Sequence, residues 1–245
     1  MTARAARSDG ARQAGAAERS GGSSRTQEPF KKSVAREYFE SLVIAVVLAL
    51  FIRTFVVQAF KIPTGSMEPN LLIGDHLLVN KLIFGPYAST AERTLLPMQE
   101  IERRDVIVFK YPEDPERDFI KRVIGLPGEH IEVRHKRVYV NGHLLDEPYA
   151  HYMEEPPPVP QELDPGDREG LSADPRENYG PVTVPPKHYF VMGDNRDNSQ
   201  DSRYWGFLPR DYVKGRALVI YWSYEAESGN ILTGTRWGRL LHQVR

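Results

Sequence analysis

A single long apolar segment near the N-terminus constrains this chain more than any other feature. It runs from Tyr38 to Phe60 as YFESLVIAVVLALFIRTFVVQAF. As a helix it would be about 34 Å long, enough to cross a hydrocarbon core of about 30 Å. Arg53 lies about 10 Å from the end of such a helix, so its guanidinium can reach the nearer interface. The sequence therefore predicts a transmembrane anchor over residues 38–60.

Two other interpretations of this segment stay open. Its uninterrupted apolar part, Leu42 to Ile52, is short enough for a signal-peptide core, and Val57-Gln58-Ala59 resembles a small-x-small cleavage site. The third interpretation is a buried core helix. Lys31, Lys32 and Arg36 precede the segment, so the positive-inside rule predicts a cytoplasmic N-terminus and a single pass, with the rest of the chain outside.

Composition limits the partners and the chemistry. The formal net charge of −1 gives no basic face for nucleic acid, and the absence of cysteine excludes a thiol nucleophile and a disulfide framework. The seven histidines lack helical ligand spacing, so no metal site and no cofactor are predicted. Residues 1–37 are poor in large apolar side chains for most of their length and predict a disordered cytoplasmic tail.

Beyond Pro63 the pattern changes to short runs rich in Val, Ile, Tyr and Phe, which are typical of strands. Asn141-Gly142 is the signal for a two-residue hairpin. No helical pattern of 10–15 residues alternates with these runs, so the sequence predicts a mainly β, antiparallel body. The predicted strands are His76–Leu82, Asp105–Tyr111, Phe119–Ile124, His130–Val133, Arg137–Val140, Tyr189–Met192 and Ala217–Tyr224.

A proline-rich segment divides this body. Ten of the 19 prolines fall between Pro148 and Pro186, and proline donates no ladder hydrogen bond. Residues 146–186 are therefore predicted to be a surface excursion between two parts of one β domain, residues 61–145 and 187–245. The C-terminal segment from Ile231 is predicted to be either an interfacial amphipathic segment or a short helix on the protein's own surface.

Two residues suggest chemistry. Ser66 follows Gly65, which allows a tight turn that exposes the hydroxyl, and Lys121 lies in the apolar run DFIKRVIGLPGE. A neutral lysine can serve as the base that a serine nucleophile needs. A serine after glycine is more often only a turn residue, and strand periodicity alone does not bury Lys121.

A polar loop, GDNRDNSQDSR at residues 193–203, follows a predicted strand. Its residue types are those of turns, and its acidic residues do not have the spacing of a calcium loop. The loop is either a plain surface loop or a source of hydrogen bonds for a buried lysine.

Four segments in this order resemble bacterial signal peptidase I, a membrane-bound serine endopeptidase family. They are FKIPTGSMEPNLLIGD, DVIVFKYP, DFIKRVIGLPGE and GDNRDNSQDSR. The resemblance implies a signal-peptidase-type β body with one N-terminal transmembrane helix in the bacterial inner membrane. It also implies that the partners are the lipid bilayer and precursor proteins that carry signal peptides.

The resemblance also implies residue roles. Ser66 matches the nucleophile and Lys121 the general base, while Thr64 matches a hydroxyl residue that joins the Ser66 N–H in the oxyanion hole. Ser199 matches a serine that orients the lysine. Asp201 and Arg203 match a structural pair near the site. The positions that match the substrate pocket are Phe60, Ile62, Met67, Leu71, Phe119 and Ile120.

Two rival functions remain at this point. One is a membrane-anchored binding or scaffold protein with an inactive site. The other is a self-cleaving regulatory protease of related fold, which would also use a serine and a lysine. Such proteases usually carry a DNA-binding or sensor domain, and residues 1–60 show no sign of one.

Overall fold

The structure is a computed structural model, and it describes residues 34–82, 84, 99–156, 173–225 and 230–244. Most of the predicted disordered tail lies outside these residues, and so does the middle of the proline-rich segment.

The apolar segment near the N-terminus forms helix α1, Val34–Phe51, and a π-helical turn, Ile52–Val56, continues it. Together they are long and apolar enough to cross a membrane. Leu48, Leu50 and Phe51 are all more than half exposed. A core helix would bury such side chains, so the core-helix interpretation is wrong.

The predicted helix needs correction at its C-terminal end. Among the described residues, which begin at Val34, the last helical turn ends at Val56 because Val57–Lys61 forms a strand. That strand pairs with the next one along the chain over five residues, and Phe60 packs against the core. The backbone groups at the end of the segment are thus hydrogen-bonded in the sheet and not in a longer helix.

The described residues contain twelve strands, which form two antiparallel sheets. The sequence-based prediction of a mainly β, antiparallel body is therefore confirmed. In chain order the strands are β1 Val57–Lys61, β2 Asp75–Asn80, β3 Val106–Tyr111, β4 Asp114–Gly125, β5 His130–Arg134, β6 Arg137–Val140, β7 His143–Leu144, β8 Tyr179–Thr183, β9 His188–Met192, β10 Leu208–Pro209, β11 Val213–Ser223 and β12 His242–Gln243.

The larger sheet has the order β1-β2-β11-β3-β4-β9-β10, and β12 adds to β11. Strand β4 is its longest strand, and the three apolar clusters of the core all include a residue of β4. Ile120 belongs to the first cluster, Val123 to the second and Ile124 to the third. The middle of β4 is therefore covered on both faces, which buries charged side chains there as well as apolar ones.

The smaller sheet has the order β7-β6-β5-β8. Asn141 and Gly142 both have positive φ, 52° and 81°, between the paired ends of β6 and β7, as the hairpin signal predicts. Strand β8 lies inside the proline-rich segment, but at the sheet edge, where Pro181 removes no interior hydrogen bond.

The C-terminal segment is not one continuous helix. It consists of a single helical turn, Ile231–Gly234, a 3-10 turn, Trp237–Arg239, and the short strand β12 against β11. Gly234 and Gly238 fall where a continuous helix would have to run, and glycine weakens a helix interior.

Candidate active site

Ser66 lies in a 3-10 turn, Gly65–Met67, on the connection between β1 and β2. Met67 is fully buried and anchors the turn in the core. The polar loop holds the turn from the other side. The Asn195 N–H donates to the Ser66 carbonyl oxygen at 3.1 Å, and Asn195 Nδ2 donates to the Gly65 carbonyl oxygen at 3.2 Å. Both sides fix the backbone of the serine.

Lys121 lies in the middle of β4, 55 residues further along the chain, and is only 3% exposed. Its Nζ is 2.6 Å from Ser66 Oγ, within hydrogen-bond distance. Burial lowers the pKa of Lys121 to about 8, although the Asp201 and Asp194 carboxylates act in the opposite direction. At pH 8 about half of such a lysine is neutral, against less than about 1% for an unperturbed one.

Gly193 permits the close approach of the polar loop to the serine turn. A Cβ at this position would come within 2.3 Å of Ser199 Oγ and 2.5 Å of the Ser66 carbonyl oxygen. Any larger residue would therefore push the polar loop away from Ser66.

Asp201 and Arg203 form a buried ion pair in the polar loop. Arg203 donates to the carboxylate through Nε at 2.8 Å and Nη2 at 2.9 Å, and the Gly193 N–H donates to Asp201 Oδ2 at 3.1 Å. Burial opposes ionisation of Asp201, but the Arg203 charge and these hydrogen bonds outweigh it and lower the pKa of the carboxyl. Asp201 therefore stays ionised near Lys121.

Arg122, next to Lys121, points to the opposite face of β4. Its Nε and Nη2 donate to the two Asp194 oxygens at 2.7 and 2.6 Å, and its guanidinium lies 4.2 Å from the centre of the Tyr149 ring. Both partners of the ion pair are at most 1% exposed. This pair ties β4 to the polar loop.

Ser66 and Lys121 face a cleft of about 620 Å³. One part of its wall is apolar. The other part consists mostly of charged and amide side chains from β4, from Arg176 and from the polar loop. The lining residues are Phe60, Pro63, Thr64, Gly65, Ser66, Arg117, Asp118, Phe119, Ile120, Lys121, Arg176, Asp197, Asn198, Ser199, Gln200 and Tyr204.

Comparison with known proteins identifies the family. The model of the family described as signal peptidase, peptidase S26, matches residues 35–222. This chain belongs to that family. It is 40% identical to a probable signal peptidase I-2 of Synechocystis, over 76% of this chain and 72% of the relative. It is also 37% identical to signal peptidase I of Pseudomonas aeruginosa (79% and 75% covered) and 36% identical to signal peptidase I of Aquifex aeolicus (82% and 91% covered).

As a member of the signal peptidase family with an exposed apolar N-terminal helix, the protein is a membrane-anchored serine endopeptidase. Among the described residues, no group of three or more His, Asp or Glu side chains is arranged to hold a metal ion.

The structure brings some of the predicted pocket residues to the cleft and places others behind it. Phe60, Phe119 and Ile120 line the cleft. The other three are buried in the first apolar cluster and support the wall from behind; they are Ile62, Met67 and Leu71.

The two remaining predicted side chains both line the cleft. Thr64 is exposed, and its hydroxyl does not cap the helical turn that follows it. Ser199 is buried, and its hydroxyl makes no well-formed hydrogen bond with a described residue, Lys121 included. It nevertheless lies close enough to Asp201 to help lower the pKa of that carboxyl.

Sequence reasoning missed four buried charged residues around the site. Arg122 and Asp194 could have been found, because each is adjacent in sequence to a residue of the predicted site or loop. Arg196 and Glu147 form a second buried ion pair. Glu147 lies 49 residues from its partner in a proline-rich segment, and nothing in its local sequence points to burial.

Proposed function

We propose that this protein removes N-terminal signal peptides from exported precursor proteins, with Ser66 as the nucleophile and Lys121 as the general base. Family membership supports the reaction class. The observation that carries the assignment of residues is the 2.6 Å contact between the buried Lys121 Nζ and Ser66 Oγ. A general base must lie within hydrogen-bond reach of the proton it removes, and this one does.

In the proposed reaction, Ser66 Oγ attacks the carbonyl carbon of the scissile peptide bond, and neutral Lys121 takes its proton. The tetrahedral intermediate collapses when the Lys121 ammonium returns a proton to the leaving amine, which releases the mature protein. Water, deprotonated by Lys121, then hydrolyses the acyl-enzyme. The Ser66 N–H and the Thr64 hydroxyl stabilise the oxyanion in both halves of the reaction.

The cleft supports a preference for apolar side chains next to the scissile bond, because Phe60, Phe119 and Ile120 form its apolar wall. The resemblance to signal peptidase I implies that these side chains are small, with alanine at P1 and a small residue at P3. The polar part of the cleft is left for the more hydrophilic chain of the mature protein.

The proposed location is the inner membrane of a bacterium, with the N-terminus in the cytoplasm and the catalytic body outside. The basic residues before α1 support this orientation. The partners are then the lipid bilayer and the emerging precursors, and nucleic acid has no role.

The decisive experiment uses the full chain in lipid vesicles with one precursor that has alanine at P1. Cleavage after that alanine, seen by sequencing the new N-terminus, is expected for the wild type and is expected to be lost in Ser66→Ala. A precursor with phenylalanine at P1 should remain uncut. No cleavage by the wild type would favour an inactive scaffold, and cleavage of only its own chain would favour the self-cleaving regulator.

The oxyanion role of Thr64 has its own test. Thr64→Val keeps the shape and removes the donor, so kcat should fall by about 10²–10³ with KM little changed. Thr64→Ser should keep most activity. A fully active Thr64→Val would remove Thr64 from the mechanism.

A further inference from the structure

The first residues of the proline-rich segment, Asp146–Met153, run beside the polar loop, and we call them the strap. The His151 N–H donates to the Asp194 carbonyl oxygen at 2.7 Å, and the His151 carbonyl oxygen accepts from the Arg196 N–H at 2.9 Å. The Met153 N–H donates to Asp197 Oδ2 at 2.8 Å. The strap is thus hydrogen-bonded along the polar loop like a short extra strand.

The strongest link between the two is the ion pair of Glu147 with Arg196. Arg196 Nη1 and Nη2 donate to the two carboxylate oxygens at 2.8 and 2.5 Å, and the side chains are only 6% and 1% exposed. A bidentate, buried pair of this kind has one preferred geometry. It therefore fixes the position of Arg196 and not only its charge.

Arg196 in turn holds the part of the polar loop that touches the nucleophile. Its Nε donates to the Gly193 carbonyl oxygen at 3.1 Å, and its own carbonyl oxygen accepts from Arg203 Nη2 at 2.8 Å. Gly193 packs directly on Ser199 and on the Ser66 carbonyl oxygen. Three consecutive contacts, from Glu147 to Arg196, from Arg196 to Gly193 and from Gly193 to Ser66, thus connect Glu147 to the Ser66 backbone.

We propose that Glu147 is a positioning residue of this catalytic centre: by holding Arg196 it keeps the polar loop closed over Lys121 and against Ser66. The proposal rests on the proposed function of the site. It also gives the start of the proline-rich segment a role, since the strap supplies a carboxylate that the polar loop does not contain in a suitable place.

The expected consequence of losing Glu147 follows from what surrounds Lys121. Asp194, Asp201 and Arg203, all from the polar loop, are the charged groups that act on it. If the polar loop moves away, water reaches Lys121 and its ammonium form is favoured. The two carboxylates would move away too, with the opposite effect, but burial is the larger cause, so the pKa of Lys121 should rise.

The test compares Glu147→Gln with the matched control Glu129→Gln in the full chain in lipid vesicles. Glu129 also binds an arginine, Arg103, in a mostly buried ion pair. In that pair Arg103 donates to the Ile124 carbonyl oxygen of β4, and Glu129 accepts from the Leu126 N–H in the turn after β4, so the pair lies away from the polar loop. For each variant the measurements are thermal unfolding and kcat/KM against pH with a precursor that the wild type cleaves.

For Glu147→Gln we expect the acid limb of the pH profile to move to higher pH and kcat/KM at pH 7 to fall about tenfold or more. A misplacement of about 1 Å can cost about 10²-fold. Glu129→Gln should keep the acid limb of the wild type, whatever it does to stability. Glu147→Asp keeps the charge, so its acid limb and kcat/KM should lie between those of the wild type and Glu147→Gln. This variant also tests the proposal if Glu147→Gln does not fold.

The proposal would be overturned if Glu147→Gln had the same acid limb and the same kcat/KM as Glu129→Gln. The proposed function of the site would then remain intact. If Glu147→Gln does not fold, wild-type values in Glu147→Asp would overturn it in the same way. Failure of the proposed function is a different result, because the wild type itself would not cleave the precursor or Ser66→Ala would still do so.

Discussion

Lys121 and Arg122 are neighbours on β4, and both are buried cations, yet their surroundings differ. Arg122 makes a bidentate ion pair with Asp194 and a further hydrogen bond to the Arg104 carbonyl oxygen at 2.9 Å. Among the described residues, Lys121 Nζ instead has a neutral hydrogen-bond partner, the hydroxyl of Ser66. Burial is nearly the same for the two residues, so the difference between them lies in the partner, a carboxylate for the guanidinium and a neutral hydroxyl for the amine.

The choice of residue type fits this difference. A guanidinium stays protonated in proteins and matches a carboxylate with two parallel hydrogen bonds, which suits a permanent tie between β4 and the polar loop. An amine can lose its proton when it is buried without a carboxylate in contact. Adjacent positions of one strand thus supply a fixed charge on one face and a titrating base on the other.

Replacing the amine of Lys121 with a guanidinium gives the largest expected effect, a loss of activity. Lys121→Arg places a group that does not deprotonate next to Ser66, so the serine loses its base. We expect kcat/KM for precursor cleavage to fall by about 10⁴-fold or more, the upper range of what a general base contributes. Appreciable cleavage by Lys121→Arg, at any pH between 6 and 10, would disprove the role of a neutral lysine.

Breaking the Arg122–Asp194 ion pair, on the opposite face of β4, should lower the stability of the protein. Asp194→Asn leaves the Arg122 guanidinium buried without its counter-charge, which typically costs about 3–5 kcal/mol of unfolding free energy. Urea denaturation measures it. The control is Asp174→Asn, because Asp174 pairs with Arg176 on the surface, where solvent screens the charges and such pairs contribute little to stability. Equal losses in the two variants would mean that the buried pair is no stronger than a surface pair.

Removing the amine should stabilise the protein. The pKa of Lys121 falls from 10.5 in the unfolded chain to about 8 in the folded one, so the unfolded chain binds the proton more tightly between these values. Stability therefore rises as the pH goes from 8 to 10.5, and at pH 7 the buried ammonium costs roughly 3 kcal/mol. Lys121→Met should be more stable than the wild type by about that amount at pH 7.

That advantage should shrink as the pH approaches 10.5. Denaturation with urea at pH 7 and pH 10 measures both differences. An advantage that is constant with pH would show that it comes from packing and not from the proton.

The smallest expected effect is a change in the pKa of Lys121 caused by the neighbouring ring of Phe119. Lys121 Nζ lies 5.4 Å from the centre of the Phe119 ring, which favours the charged amine by about 0.5–1 kcal/mol. Phe119→Leu should lower the apparent pKa on the acid limb by about 0.4–0.7. Phe119→Tyr keeps the ring and should leave the limb in place. A shift to higher pH in the leucine variant would mean that water entry outweighs the ring.

Local patterns in the sequence were sufficient to predict most of the sheet. The strands around Val106–Tyr111 and Arg137–Val140 show short β-rich runs with clear ends, and Asn141-Gly142 fixes a turn by itself. Ser66 and Lys121 came from the order of motifs, since neither residue stands out alone.

What could not be predicted depends on contacts between distant parts of the chain. Val56 and Val57 look alike in sequence, yet one ends a helix and the next begins a strand because β2 is there to pair with it. Apolar residues near Ser66 are compatible with both a cleft wall and the core behind it, as Ile62 shows. Glu147 lies in the segment predicted to be a surface excursion, and its burial depends on a partner 49 residues further along the chain.

The direct passage from helix to sheet limits the distance between the proposed nucleophile, Ser66, and the membrane. Only ten positions separate the last helical residue, Val56, from Ser66, and half of them belong to β1. Even a fully extended chain of that length spans only about 35 Å, and here it is folded back into the sheet. Under the proposed function, Ser66 therefore stays near the end of the membrane helix, and it can reach a cleavage site only while that site is still close to the bilayer.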